Sequence, residues 1–299
     1  MLKKLNLWLD KRYNKSPLMI LRFLLPNQSF SIPADWPDRL YAVCRAAGEI
    51  VLQHYRHNDT LEITHKSDHS PLTSADLASN DYLIKALGEL EPRLPIVSEE
   101  SDPRHFVVPA GSRYWLIDPL DGTREFIERT DEFTINVALI EGDKTIFGAI
   151  YAPCNDHFYC GGRGVPAFMN EAGQHSSLAC RGLGDEVVAA ISRRRSKKAM
   201  EFLATTDLVA ELGVTTVTLG SALKFTHVAL GKADIYPCLG PTGEWDSAAG
   251  QAIIEASGGA VVDLQGQSLR YGRNPDRINP SFIVVADMGA WRRSGDIGA

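Results

Sequence analysis

The chain has 299 residues, 44% hydrophobic and 23% charged, with a formal net charge of -6. This is the composition of a soluble globular protein of one large or two smaller domains, and the acidic balance argues against nucleic-acid binding as its main business. Five cysteines (Cys44, Cys154, Cys160, Cys180, Cys238), odd in number and without a C-x-x-C pair, favour reduced thiols in a cytoplasmic setting over a disulfide framework.

Residues 1–34 read as a basic and partly apolar extension. Lys3, Lys4, Lys11, Arg12, Lys15 and Arg22 face a single acid, Asp10, and Leu18 to Leu25 is apolar except for Arg22. That run is too short to span a bilayer, which needs about 20 residues. A loose extension packed on the core is the expectation. Peripheral contact with an anionic membrane surface through residues 1–30 is the alternative.

The globular part is predicted to begin near Asp35, an N-cap residue type. Leu40, Val43, Ala47, Ile50 and Val51 then recur at helical spacing to about Tyr55. An extended segment around Leu61 to Thr64 and a turn-rich stretch, Lys66 to Asp76, lead into a second helix carrying Leu77, Leu83, Ile84, Leu87 and Leu90. Pro95 to Ser98 reads as a short strand that delivers Glu99 and Glu100. Trp115 to Ile117 reads as a buried strand ending at Asp118, because Pro119 cannot donate a ladder hydrogen bond. Asp121, Gly122 and Thr123 then fall in the turn beyond.

Phe133 to Ile140 and Ile146 to Ala152 read as strands joined by a Glu141-Gly142-Asp143-Lys144 hairpin. Another strand lies near Phe158, and Gly161-Gly162-Arg163-Gly164 reads as a plain turn rather than a phosphate loop. A subdomain boundary is expected at 180–186, dividing residues 35–185 from 186–288. The second part alternates: strand Val187 to Ser192, helix Lys198 to Leu212, strand Thr215 to Leu219, helix Ser221 to Leu230. A helix opened by Trp245-Asp246 and a final strand at Phe282 to Ala286 complete it, and the tail at 289–299 is expected to be unstructured. The mixture suggests layered α and β structure.

Five acids share one property. Glu99 and Asp118 close strands, Asp121 lies in a turn, and Asp76 and Asp246 open helices, so all project from rigid ends. Were they to converge, their repulsion would require a hard cation, and magnesium takes such oxygen ligands, with the Leu120 carbonyl a third type of donor. Gly122 permits a tight turn whose following N–H groups can face an anion, and the Thr123 hydroxyl is left to hold a water. This set fits metal-assisted phosphoryl hydrolysis, with two adjacent metal ions and a water held by Thr123 and Asp76. His54 with His57 and His65 with His69 lack a partner at zinc-site spacing, and no G-x-S-x-G elbow occurs. The basic run Arg193 to Lys198 fits a solvated face at a helix start, a second-phosphate grip or a nucleic-acid contact.

Several stretches together resemble the lithium-sensitive, magnesium-dependent phosphatases related to inositol monophosphatase, in particular the CysQ-type 3′(2′),5′-bisphosphate nucleotidases. They are Lys66 to Asp76, Val97-Ser98-Glu99-Glu100, Asp118 to Phe126, Gly220 to Phe225, Gly240-Pro241-Thr242 and Trp245 to Gly250. The resemblance runs from about Asp38 to Val285. It implies an α+β fold, a layered αβαβα sandwich. It implies two or three Mg2+ ions held by Glu99, Asp118, the Leu120 carbonyl, Asp121 and Asp246, and an attacking water positioned by Asp76 and Thr123. Substrate contacts are implied at Gly122 and Thr123 and at the ligands Glu99, Leu120, Asp121 and Asp246.

The implied reaction takes the 3′-phosphate from 3′-phosphoadenosine 5′-phosphate, giving AMP and clearing a by-product of sulfate assimilation. Four departures lie where substrate preference is set. Arg194 and Arg195 end the segment usually reading Ser-Arg-Ser-His, Ala222 replaces a serine, Cys238 replaces an arginine, and Arg124 replaces a lysine. They leave inositol monophosphate or another sugar phosphate as the alternative substrate, and a non-catalytic nucleotide-binding regulator as a further one. Arg194 and Arg195 are the expected replacements for the second-phosphate contact.

Overall fold

A computed structural model describes residues 30–56, 63–65, 71–101 and 111–296. The segment read as an alternative membrane contact therefore lies almost wholly outside the described residues, as do residues 66–70 of the Lys66 to Asp76 stretch and His57. Phe30 and Ile32, at the end of the extension, do pack on the core, with the Arg113 guanidinium 4.3 Å from the centre of the Phe30 ring. No helix among the described residues is long and apolar enough to cross a membrane.

Helices α1 (Trp36–Arg56) and α2 (Ser74–Leu90) form the first layer, and between them in the chain β1 (Ile63–His65) pairs antiparallel with β2 (Pro71–Thr73). Leu40, Cys44, Ala47 and Val51 of α1 are buried at helical spacing, and Leu83, Leu87 and Leu90 do the same on α2. Leu77, expected on that face, is instead 47% exposed.

The second layer is a seven-stranded sheet in the order β3 to β9: β3 (Ile96–Ser98), β4 (Arg113–Asp121), β5 (Thr134–Glu141), β6 (Lys144–Ala152), β7 (His157–Gly162), β8 (Val165–Glu171) and β9 (Gln174–Ser177). Only the β3–β4 pair is parallel, and helix α3 (Thr123–Ile127) follows β4 directly. The predicted hairpin at Gly142-Asp143 is present, and the glycine-rich stretch is the β7–β8 turn, as read.

The fifth layer lies across a second, five-stranded sheet. Strand β10 (Val187–Ile191) precedes α4 (Ser196–Leu203) and α5 (Asp207–Leu212), and β11 (Val214–Thr218) precedes α6 (Leu223–Ala229). Next come β12 (Ile235–Cys238), α7 (Glu244–Ala256), β13 (Ala260–Asp263), β14 (Phe282–Val285) and α8 (Met288–Ser294). The sheet order is β11-β10-β12-β14-β13. Helices α6 and α7 sit between the two sheets in one shared core, and α4, α5 and α8 cover the outer face of the smaller sheet. This is the layered αβαβα arrangement.

Three readings need correction. The helix predicted over Lys198 to Leu212 is two helices, because the chain turns at residues 204–206, where the Thr205 and Thr206 hydroxyls bond back to the Phe202 and Leu203 carbonyls. The tail is helical from Met288: Asp287 caps α8 by accepting from the Ala290 N–H at 2.9 Å, and Trp291 is fully buried. Strand β4 does not stop at Pro119 but continues through it to Asp121, with a bulge that shapes the site.

All five cysteines are free thiols, in line with the sequence reading. The middle helix α7 lies very close to the large sheet: a Cβ on Gly148 of β6 would stand 2.2 Å from the Ala249 carbonyl oxygen. Only glycine permits this approach.

Candidate active site

Side chains three apart on a regular strand point to opposite faces. Asp118 pairs with Asn136 and Asp121 with Thr134, so three steps on β4 match two on β5. The extra residue of this bulge brings Asp121 back to the Asp118 side. That side is the one occupied by Tyr114 and Leu116, which face the middle helices. Pro119 lies within the irregular step, where its missing N–H costs no ladder bond. Its carbonyl accepts from the Ser79 hydroxyl of α2 at 2.8 Å, which fastens the bulge from behind.

Glu99 follows β3 on the same side of the sheet, and its N–H donates to the Ile117 carbonyl at 3.1 Å. Behind it, the Ser98 hydroxyl donates to Asn80 Oδ1 at 2.6 Å. Asp246 arrives from the other half of the molecule, at the third position of α7, and accepts from the Gly243 N–H at 2.8 Å. Carboxylate oxygens of Glu99, Asp118 and Asp246 all lie within 4.8 Å of one another. Burial, with the charges of Asp121 and Glu99, holds the Asp246 carboxyl well above the usual aspartate range, and Asp118 is within hydrogen-bonding contact of it.

Asp121 flanks this trio. Its Oδ2 accepts from Asn136 at 3.2 Å and Thr134 at 3.4 Å. Burial pushes its carboxyl up to about 6, against the opposing pull of the Lys224 ammonium. Lys224 is itself buried, donates to the Ser221 carbonyl and lies 5.2 Å from the Tyr236 ring centre. Burial lowers its pKa, and Asp121 opposes that shift.

Asp76 sits at the third position of α2, as Asp246 does on α7. Its Oδ2 accepts from the Thr73 N–H at 2.8 Å and the Thr73 hydroxyl at 2.5 Å. Its Oδ1 accepts from the Thr123 hydroxyl at 3.1 Å, and the Leu120 carbonyl lies 3.3 Å from that same hydroxyl. Burial raises the Asp76 carboxyl, its three hydrogen bonds oppose that, and Glu99 adds to it. The Thr123 proton is therefore committed to one of these two acceptors. Only the hydroxyl's lone pairs remain for a water.

Gly122 has φ of 89°, and a Cβ there would stand 3.1 Å from the Glu132 carbonyl oxygen and from Ser221 Cβ. The first turn of α3 beyond it carries N–H groups without intrahelical partners.

The sequence reading of the basic run divides. Arg193 pairs with Glu132 at 3.0 Å, and Arg194 pairs with Glu125 at 2.6 Å and Glu128 at 2.5 Å. Arg195 lies across Gly240, donates to the Pro241 carbonyl at 2.9 Å, and acts electrostatically on the Cys238 thiol. Among the described residues Arg195 makes no ion pair. Sequence reasoning did not single out Ser79, Asn80, Thr134 or Asn136. Nothing in their local pattern marks them, since their partners come from other elements.

An all-oxygen, largely buried set of carboxylates suits a hard divalent cation, and the repulsion within the trio gives the reason to bind one. The profile of the Inositol monophosphatase family matches residues 36–290. The 3′(2′),5′-bisphosphate nucleotidase CysQ of Salmonella typhimurium is 39% identical over 83% of this chain and 98% of its own length. That of Escherichia coli strain K12 is 38% identical over the same shares.

The crystal structure of CysQ from Bacteroides thetaiotaomicron, a bacterial member of the family, superposes with a TM-score of 0.68 at 30% identity, covering 83% of this chain and 96% of that one. An IMPase of Thermotoga maritima shares the fold, with a TM-score of 0.69 at 22% identity over 87% of this chain and 96% of its own. With a profile match that runs from the first residue of α1 into α8, the chain belongs to the inositol monophosphatase family.

Proposed function

We propose that this protein is a magnesium-dependent phosphatase that removes the 3′-phosphate of 3′-phosphoadenosine 5′-phosphate, giving AMP and phosphate and so clearing a by-product of sulfate assimilation. The observation that carries the hydrolytic reading is the meeting of Glu99, Asp118 and Asp246 from three separate elements within 4.8 Å. The substrate comes from the relatives, which are named 3′(2′),5′-bisphosphate nucleotidases and are matched along nearly their whole length.

Glu99, Asp118 and Asp246 would hold the cations, with Asp121 and the Leu120 carbonyl completing the oxygen set. Mg2+ bound there supplies charge compensation for the phosphate and for the attacking water. Asp76 orients Thr123 through the 3.1 Å hydrogen bond, so that the hydroxyl oxygen accepts from the attacking water. Through that bond the buried Asp76 carboxylate would take up the water's proton, with Thr123 as the relay. Gly122 and the opening N–H groups of α3 face the phosphate oxygens. Arg195, beside Cys238 and the Gly240-Pro241 turn, supplies positive charge for a second phosphate.

Phosphate release from a panel of 3′,5′-bisphosphates, nucleoside monophosphates and inositol monophosphate tests the reading, with Mg2+, Ca2+, Li+ or EDTA added. The expected result is Mg2+-dependent release, blocked by Li+, with the highest kcat/KM on the bisphosphate. Preference for inositol monophosphate would move the substrate and keep the chemistry. Undiminished release in EDTA would end both. Arg195→Ala is expected to raise KM for the bisphosphate selectively.

A further inference from the structure

Helix α3 has five residues, and its first is Thr123. One turn of helix cannot sustain itself, so its position depends on what grips it. On the inner side Phe126 packs against Tyr55 and Phe133, with ring centres 5.1 and 5.2 Å away. On the outer side the grip comes from Arg194, on the segment between β10 and α4. Its guanidinium reaches Glu125 Oε1 with Nη1 at 2.6 Å and Glu128 Oε1 with Nη2 at 2.5 Å.

The Glu125 side chain is 12% exposed and that of Arg194 31%, so this contact is partly withdrawn from water and weakly screened. The neighbouring Arg193 and the Gly220 N–H meet Glu132 Oε2 at 3.0 and 2.9 Å. Two arginines from the smaller sheet's side thus hold the stretch from Thr123 to Glu132 in place.

We propose that Arg194 is a positioning residue for hydrolysis: by holding Glu125 and Glu128 it fixes the short helix that starts at Thr123, and so keeps the Thr123 hydroxyl on Asp76. The proposal rests on the phosphatase reading above. It assigns Arg194 to the water-orienting apparatus rather than to a second phosphate of the substrate.

The test compares wild type with Arg194→Ala and Arg194→Lys, using 3′-phosphoadenosine 5′-phosphate and 3′-AMP. Arg194→Ala should lower kcat about 10- to 100-fold on both substrates, the scale expected for a reacting group displaced by about an ångström. KM should change little on either substrate. Tm should stay near that of wild type, because a partly exposed pair contributes little to global stability. Lysine, keeping one of the two contacts, should fall between.

A rise in KM confined to the bisphosphate would overturn the proposal in favour of a direct phosphate contact. Loss of activity that tracks a falling Tm would overturn it in favour of a purely structural pair. A crystal structure of Arg194→Ala decides the matter independently of turnover. The Thr123–Asp76 contact, 3.1 Å here, should be lengthened or broken, and an unchanged contact refutes the role. Wild-type protein that releases no phosphate would sink the phosphatase reading and leave that structural result to judge Arg194.

Discussion

Replacing Asp246 by asparagine should stabilise the metal-free protein while disabling it. A pair of unit charges at 4.8 Å repels by about 3.5 kcal/mol at an effective dielectric constant of about 20, and Asp246 faces two such charges, Asp121 and Glu99, while Asp118 hydrogen-bonds to it. Much of that is relieved in the absence of cation by proton uptake, which is why the Asp246 carboxyl is held so high. About 2 to 3 kcal/mol is a reasonable remainder, equivalent to about 5 °C in Tm for a protein of this size. The N-terminal cap of α7 survives the change, because an asparagine oxygen still accepts from the Gly243 N–H.

Calorimetric melting in EDTA and across a Mg2+ titration provides the assay. In EDTA, Asp246→Asn should melt higher than wild type. Its response to Mg2+ should need at least 10- to 100-fold more cation, and phosphate release should collapse. The pH dependence has a definite sign. Asp121 and Asp246 both have raised pKa values in the fold, so the stability they contribute is present at low pH. It is lost as pH rises from about 4 through about 6 and beyond. Wild-type Tm in EDTA should therefore fall over that window, and saturating Mg2+ should flatten the fall. An asparagine variant that melts lower in EDTA, or that titrates with Mg2+ as wild type does, refutes the reasoning.

Asp76→Asn should reduce kcat by about 10²- to 10⁴-fold, the usual worth of a general base, while the Mg2+-induced gain in Tm persists, because Asp76 stands outside the acidic trio; loss of the Mg2+ response would contradict its placement. Gly122→Ala puts a Cβ on backbone at φ of 89° and 3.1 Å from a carbonyl oxygen, and should cost about 1 to 3 kcal/mol in urea unfolding, so a neutral result would show the turn to be more accommodating than its geometry implies. Gly148→Ala should cost about 3 kcal/mol or prevent folding, because its Cβ would stand 2.2 Å from the Ala249 oxygen; normal yield and Tm would mean that α7 can lift off the sheet.

Much of the acidic centre was legible because its residues sit at element ends, which leave local signs. Proline and glycine flank Asp118 and Asp121, and Asp76 and Asp246 occupy early helix positions where an acid also satisfies the backbone. The bulge was not legible. Pro119 read as a stop, yet a proline is tolerated where the ladder is already broken, and only the pairing with β5 shows that it is. Strands β2, β8, β9, β12 and β13 went unread. Of these, β9 is exposed and polar, β2 lies in a turn-rich stretch, and β12 carries a proline at its third position. The partners of Arg193 and Arg194 are more than 60 positions away, beyond any local pattern, so the run was open between a solvated face, a phosphate grip and a nucleic-acid contact, and its pairing with Glu125, Glu128 and Glu132 was not legible.

The absence of a side chain at Gly148 has a consequence for how this catalyst could be retargeted. With the backbone of α7 seated directly on β6, the strut carrying Asp246 and the sheet carrying Asp118 leave no slack for a jaw-like opening between them. Discrimination among phosphate esters then falls to fixed lining positions rather than to a closing motion, with Arg195 at the surface and Ala222 and Cys238 buried. Exchanging those three should alter which esters are accepted while the hydrolytic machinery beneath stays as it is.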